Sequence, residues 1–454
     1  MSKNAEDRQV KDSLAQLRCH FTWKFLIENS EIPDLENRVL DEIEFLDTKY
    51  NVGIHNMLAY VKHLKGQNEK ALESLKEAED LIQRDHANQS DMRSLVTWGN
   101  YAWVCYHLGR LAEAQTYLDK VESTCEKLAS PFRYRMECPE MDCEEGWALL
   151  KCGGQNYERA KACFEKALEA DPENAEFSIG YAITTYHLDG FNAAKKRTEG
   201  FSLHPLRQAI RLNPEDAYIK VLLALKLQEV GQEAEGEKYI EEALTNKSSQ
   251  TYVFRYAAKF YRKKGSLDKA LQLLKTALQA TPDSVFLHHQ IGCCYRQQMI
   301  EMKEAAKLQP SREDEENADR MMRLAIYHFE LAIQKKPTFT IAYMDLANMY
   351  REQGEHQKVE DTYQKALTLH DGDKSRLQEV HYRYGCFLQC HKQSENDAIT
   401  YYLKALYIEP QSNARQKILS ALENLVNWRV DQNKTDVESL NLLALVHRLK
   451  EGRE

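Results

Sequence analysis

Four residues spaced three or four apart, Tyr252, Arg255, Lys259 and Arg262, put an aromatic ring and three cations on one stripe of a helix. Such a stripe suits a chain of phosphates with stackable bases. From the pattern alone a groove for an acidic peptide is the commoner use of such a repeat stack, and a solvated helix face is the other bland reading. Lys151 is a second anomaly. It falls where the surrounding pattern expects an aromatic packing residue, and a bare buried ammonium is costly. It therefore needs water, a carboxylate or a ligand anion, unless its stem carries the charge out to solvent. Four positions earlier, Trp147 reads either as packing or as a stacking platform.

The elements that carry these residues follow a repeat. Counting from Thr251, Phe254, Ala257, Ala258, Tyr261, Ala270, Leu274, Ala277 and Pro282 fill the places of the tetratricopeptide pattern. Those places lock helix A against helix B. Places 2, 5, 9 and 12, where the stripe sits, line the concave face of the stack. The same signature recurs from Val52, Leu95, Met141, Ala175, Ala217, Val285, Thr340 and Gln378. Prolines number only 10 in 454 residues, and apolar residues recur at i, i+3, i+4 almost throughout. The expected fold is all-α: a tetratricopeptide-repeat superhelix enclosing a central positively charged groove or tunnel.

The expected organisation is an N-terminal helical cover over 1–50, a repeat array over 51–295, a charged insertion over 296–320, and C-terminal repeats over 321–454. Within the cover, Val10–Ile27 reads as one amphipathic helix, and a second runs from Asp34 to Asp47. The last repeat reads as a helix A, Leu440–Leu449, without its helix B.

The chain is acidic, with 61 Lys and Arg against 70 Asp and Glu and a net charge of −9. Any polyanion site is thus a confined basic groove within an acidic exterior. Eleven cysteines scattered through helical stretches fit reduced thiols and a cytoplasmic protein. The sequence shows no secretory leader, membrane span or lipidation signal. It also has no phosphate-binding loop, nucleophile elbow or metalloprotease motif, so neither an enzyme nor a cofactor is expected. Cys138 with Cys143, and Cys386 with Cys390 and His391, lack the four ligands of a zinc site.

The stretches LRCHFTW (17–23), IPDLENRVLDEIEFLDTKYNVGIHNMLAYVKHLKGQN (32–68), RSLVTWGNYAW (93–103), ECPEMDCEEGWALLKCGG (137–154), YIKVLLALKLQ (218–228) and SSQTYVFRYAAKFYR (248–262) resemble the interferon-induced proteins with tetratricopeptide repeats. The resemblance covers the whole chain and is nearest to the branch that binds capped RNA lacking 2′-O-methylation. It implies a cytoplasmic antiviral protein that holds the 5′ triphosphate or cap 0 end of foreign single-stranded RNA and blocks its translation. Sister family members and the translation initiation machinery are the further partners it implies.

Residue by residue, the resemblance implies a 5′-end pocket of Arg38, Glu42, Leu46, Thr48, Trp147, Lys151, Tyr157, Glu176, Ile183, His187, Asp216 and Tyr218. The strand beyond would lie on Tyr252, Arg255, Tyr256, Lys259, Arg262, His289, Gln290 and Lys336. Three positions depart from the family pattern. His187 stands for an arginine, Glu42 for a glutamine, and Asp216 for a neutral amide. With an ordinary pKa near ~6.5, His187 would make 5′-end binding strengthen as pH falls. The family's aromatic-rich C-terminal pairing helix lies past Glu454, so weak pairing with sister proteins is expected.

Overall fold

The computed structural model describes residues 3–27, 32–45, 51–85, 87–193, 201–245, 251–308, 312–369, 374–408 and 414–450. Among the described residues every regular element is a helix, and 22 α-helices follow one another along the chain. They form two compact units, Met1–Ala280 and Thr281–Glu454.

In the first unit the paired helices that matter here are α3 (Asn51–Leu64) with α4 (Asn68–Asp85), α7 (Pro139–Lys151) with α8 (Tyr157–Ala170), α9 (Ala175–Ala193) with α10 (Leu203–Leu212), and α13 (Thr251–Lys263) with α14 (Leu267–Ala280). Each buries the small and aromatic places of the pattern. Ala257, Tyr261, Ala270 and Ala277 on α13 and α14 are all buried, which leaves places 2, 5, 9 and 12 half-exposed.

The N-terminus departs from expectation. Helix α1 spans Lys3–Leu14 and α2 spans Ile32–Phe45, but residues 15–27 between them are not helical. The expected helix over Val10–Ile27 therefore ends early, for a physical reason. The Thr22 hydroxyl donates to the Leu17 carbonyl (2.8 Å) and accepts from the Cys19 amide (3.1 Å), competing with helical bonds. Other backbone groups are taken by distant side chains. Asn100 Oδ1 accepts from the His20 amide at 3.1 Å, Asn156 pairs with both the amide and carbonyl of Leu26, and Arg159 donates to the carbonyls of Trp23 and Lys24. With these partners the segment runs as a strap that buries Leu17, Cys19 and Trp23 in the first unit's core. Helix α2 is anchored by Glu36, buried between Lys62 of α3 (2.6 Å) and Lys65 just past its end.

In the second unit, the residues read as an insertion lengthen two helices: α15 (Val285–Leu308) and α16 (Arg312–Lys335). A side chain at Gly292 of α15 would meet the Phe329 ring of α16 at 2.7 Å. The same lock recurs further on, where a Cβ at Gly385 on α19 (Lys374–Cys390) would meet Tyr402 on α20 (Glu395–Leu406) at 2.7 Å. Between these pairs lie α17 (Thr340–Glu352) and α18 (His356–Thr368). Helix α21 (Ala414–Gln432) packs on α22 (Val437–Lys450), the last described helix. No described helix is long and apolar enough to cross a membrane.

Candidate nucleic-acid interface

Helices α2, α7, α8, α9, α11 (Ala217–Glu229) and α13 bring most of the expected pocket together inside the first unit. The anomalous Lys151, at the end of α7, forms an ion pair with Glu42 of α2, and both are largely shielded from solvent. Of the partners open to Lys151, the protein itself supplies the carboxylate. Arg38, one turn before Glu42, reaches the Lys151 carbonyl at 3.5 Å. Burial raises the Tyr157 pKa, and the Arg38 charge pulls against that rise. The Tyr157 ring lies 5.8 Å from His187 and 6.0 Å from Phe191.

His187 does not have the ordinary pKa expected for it. Burial above all, then the Lys259 ammonium, lower it to about 4 against a smaller pull from Glu42. The imidazole is neutral across the cellular pH range. The same couplings show that the stripe adjoins the pocket: Lys259 acts on His187, and Tyr256 on Tyr157 and Tyr186.

Trp147 and Ile183 belong to one apolar cluster with Leu150, Tyr186, Tyr218 and Tyr256. Trp147 also packs edge-on against Phe164 at 5.3 Å. Tyr218 sits 5.5 Å from Tyr256 and 6.3 Å from Tyr252, and burial pushes its pKa well above the usual phenol value. Asp216 caps α11, its carboxylate accepting from the Ile219 amide at 2.9 Å. Burial raises its pKa, and the capping bonds from the Ile219 and Tyr218 amides, then the Lys220 charge, pull against that rise. On α13, Arg255 lies over the Tyr252 ring at 5.3 Å. Burial, and then Lys263, lower the Lys259 pKa; Glu229 opposes this, and Arg262 and Arg255 add to it. Cations crowded like this gain from a polyanion.

Glu176 has neighbours that the repeat pattern does not name. Arg93 bridges it (3.6 Å) and Glu144 (4.0 Å). Burial and the nearby Glu176 raise the Glu144 pKa to about 7, with Arg93 opposing. One signal was present: Glu144 occupies place 4 of its repeat, where a large apolar residue belongs. Gly53 makes room, since a Cβ there would sit 3.3 Å from the Glu144 carboxylate. Leu46 and Thr48 lie outside the described residues.

His289, Gln290 and Lys336 belong to the second unit. His289 is buried, with Nε2 on Asp345 (2.8 Å) and Nδ1 near Gln290 (3.3 Å). Burial is the largest single influence and lowers its pKa, but the hydrogen bonds and charges of Asp345 and Cys293 together outweigh burial and raise it to about 9. Ligand atoms of His289, Cys293 and Asp345 lie within 4.8 Å of one another, a spacing that a metal could bridge. The Arg296 guanidinium on the same carboxylate, with a protonated His289, already supplies the positive charge there.

A stack of helix pairs with these locks defines a tetratricopeptide-repeat protein, and tetratricopeptide-repeat patterns match residues 154–174 and 342–377. The chain is 66% identical over 450 residues to the antiviral innate immune response effector IFIT1 of Macaca fascicularis, covering 99% of this chain and 94% of that protein. Human interferon-induced protein with tetratricopeptide repeats 2 is 42% identical over 459 residues, covering 99% and 94%. A solved IFIT1 monomeric mutant with Gppp-AAAA is similar with a TM-score of 0.82 and 65% identity, covering 98% of this chain and 97% of that one. The human IFIT1 dimer with PPP-AAAA gives a TM-score of 0.76 and 62% identity, covering 98% and 96%. The chain belongs to the interferon-induced proteins with tetratricopeptide repeats.

Proposed function

We propose that this protein is an antiviral RNA-binding protein of the cytoplasm, which holds the 5′ end of foreign single-stranded RNA, triphosphorylated or capped without 2′-O-methylation, and so blocks its translation. The observation that carries the reading is the junction in the first unit of the stripe Tyr252, Arg255, Lys259 and Arg262 with the cluster of Trp147, Ile183 and Tyr218. One part offers cations for phosphates and the other apolar and aromatic surface for a base. In this reading Arg38, Lys151 and Arg255 neutralise phosphates, Trp147 stacks on the terminal guanine, and Glu176 accepts from its edge. Relatives about 65% identical have been solved with Gppp-AAAA and PPP-AAAA, which supports the same ligand class here.

A second reading has its own observation. The Glu42–Lys151 pair and the neutral His187 remove positive charge where phosphates would sit. That favours a repeat scaffold for protein partners with weakened 5′-end binding. A gel-shift series with one RNA bearing a triphosphate, an unmethylated cap, cap 0 or cap 1 separates the two. Tight binding of the first three and loss with cap 1 supports the first reading. Uniformly weak binding, no better than a 5′-hydroxyl strand, supports the second.

A further inference from the structure

Helices α17, α18 and α19 of the second unit surround a cavity of about 70 Å³. Its lining includes Asn348 and Arg351 from α17, Val359 and Tyr363 from α18, and Arg383 and Phe387 from α19. A water needs only about 10–15 Å³ of such space, so the cavity has room for a small planar group such as a carboxylate.

The polar atoms around it are donors with capacity to spare. Tyr363 is 3% exposed, and no described group hydrogen-bonds its hydroxyl. Burial pushes its pKa up to about 12 against the pull of Arg383 and Arg351, so it stays a donor with both guanidinium groups near it. The Asn348 amide likewise has no hydrogen bond among the described residues. Arg351 uses one N–H on Glu352 (3.4 Å), and Arg383 uses Nε on Glu379 (2.7 Å). The other N–H groups of both have no carboxylate partner among the described residues. Asp345, which also acts on Arg383, is engaged by His289 and Arg296.

We infer that this cavity is a carboxylate-binding site for an acidic peptide segment, taking either its terminal carboxylate or an Asp or Glu side chain. Two guanidinium forks, an amide and a phenol match the two oxygens of one carboxylate. Val359 and Phe387 give its carbon end an apolar floor. An RNA strand fits less well, because its charge recurs at every nucleotide and would pass Glu352 and Glu379 beside the two arginines.

The test uses the full-length protein and a fluorescent pool of pentapeptides ending in free Asp or Glu, followed by anisotropy. The control pool carries C-terminal amides with Asn or Gln. The expected result is binding of the free-acid pool only. Arg383→Ala should weaken it at least about tenfold and Tyr363→Phe about threefold, with thermal unfolding unchanged for the milder Tyr363→Phe. Binding of a 5′-triphosphate RNA should be unaffected by either change. The inference is overturned if the free-acid pool does not bind, if it binds equally to both variants, or if the substitutions weaken RNA binding and leave the peptide alone. That last result would assign the cavity to the RNA path.

Discussion

The two units place cations on the same repeat scaffold and treat them differently. On α13, burial and neighbouring cations push the Lys259 pKa down, and Glu229 only partly offsets them. On α15, His289 and Arg296 close on the buried Asp345, which raises the His289 pKa. The first arrangement holds charge in tension that an external anion relieves, whereas the second is an internal charge cluster balanced by its own carboxylate. On the proposed reading, the same helix-A positions thus serve as a binding surface in one unit and as core electrostatics in the other. What differs is whether the acid of a facing helix closes on the cations, as Asp345 does on His289 and Arg296, or only partly offsets them, as Glu229 does.

The contrast breaks most sharply at Asp345. Asp345→Ala leaves a protonated histidine and an arginine without their acceptor, and losing one partner of a buried pair costs about 3–5 kcal/mol. Denaturant unfolding should show that loss. The histidine also sets a pH window. Its folded pKa of about 9 lies above the ordinary 6.5, so its contribution is full below about 6.5 and is lost as pH rises through about 9. Unfolding midpoints that stay flat between those values would remove the charge cluster from the account. The matching change on α13 should act on binding instead. Arg255→Glu is expected to weaken all RNA sequences alike by roughly 10- to 100-fold and to lower the salt slope, by about 0.7 for each phosphate no longer neutralised on a single strand. A loss confined to one base sequence would contradict a phosphate role.

Much of this was legible in the sequence, because repeat places fix which side chains face inward. The α13 stripe and the anomaly of Lys151 follow from counting places. The strap over residues 15–27 does not. Its bonds come from Asn100, Asn156 and Arg159, more than 70 residues away along the chain, and local periodicity carries no trace of such partners. The protonated state of His289 was hidden similarly, since Asp345 lies two helices further on. Glu144 was readable as an acid in an apolar place, but its partner Arg93 was not.

A smaller effect is expected at Lys151. Glu42 already answers its charge, so RNA phosphate must displace a carboxylate. Glu42→Gln keeps the shape and removes the competitor. Affinity for triphosphate RNA should rise roughly three- to tenfold, in line with one partly exposed charge pair. Lys151→Ala in the same background should cancel the gain. An unchanged or lower affinity for Glu42→Gln would mean that the carboxylate orients Lys151 and does not compete for it.

The smallest effect concerns His187, and here the pKa reverses the simple expectation. A histidine near 6.5 would charge between pH 8 and 6 and strengthen phosphate binding over that range. Burial and Lys259 hold this one at about 4, so the free protein carries a neutral imidazole throughout. For RNA to bind with proton uptake near pH 6, its phosphates would have to raise the pKa by two units or more, which is about 2.7 kcal/mol. The neutral ring instead offers a single N–H donor. Binding of triphosphate RNA should therefore change little between pH 8 and 6. His187→Arg should raise affinity several-fold, since a guanidinium keeps its charge and can hold phosphate with two parallel bonds. Isothermal titration in two buffers of different ionisation enthalpy reads the proton count directly. Uptake near one proton at pH 6 would show that the ligand overrides the burial of His187. Equal affinity of the His and Arg forms would place residue 187 away from the RNA 5′ end.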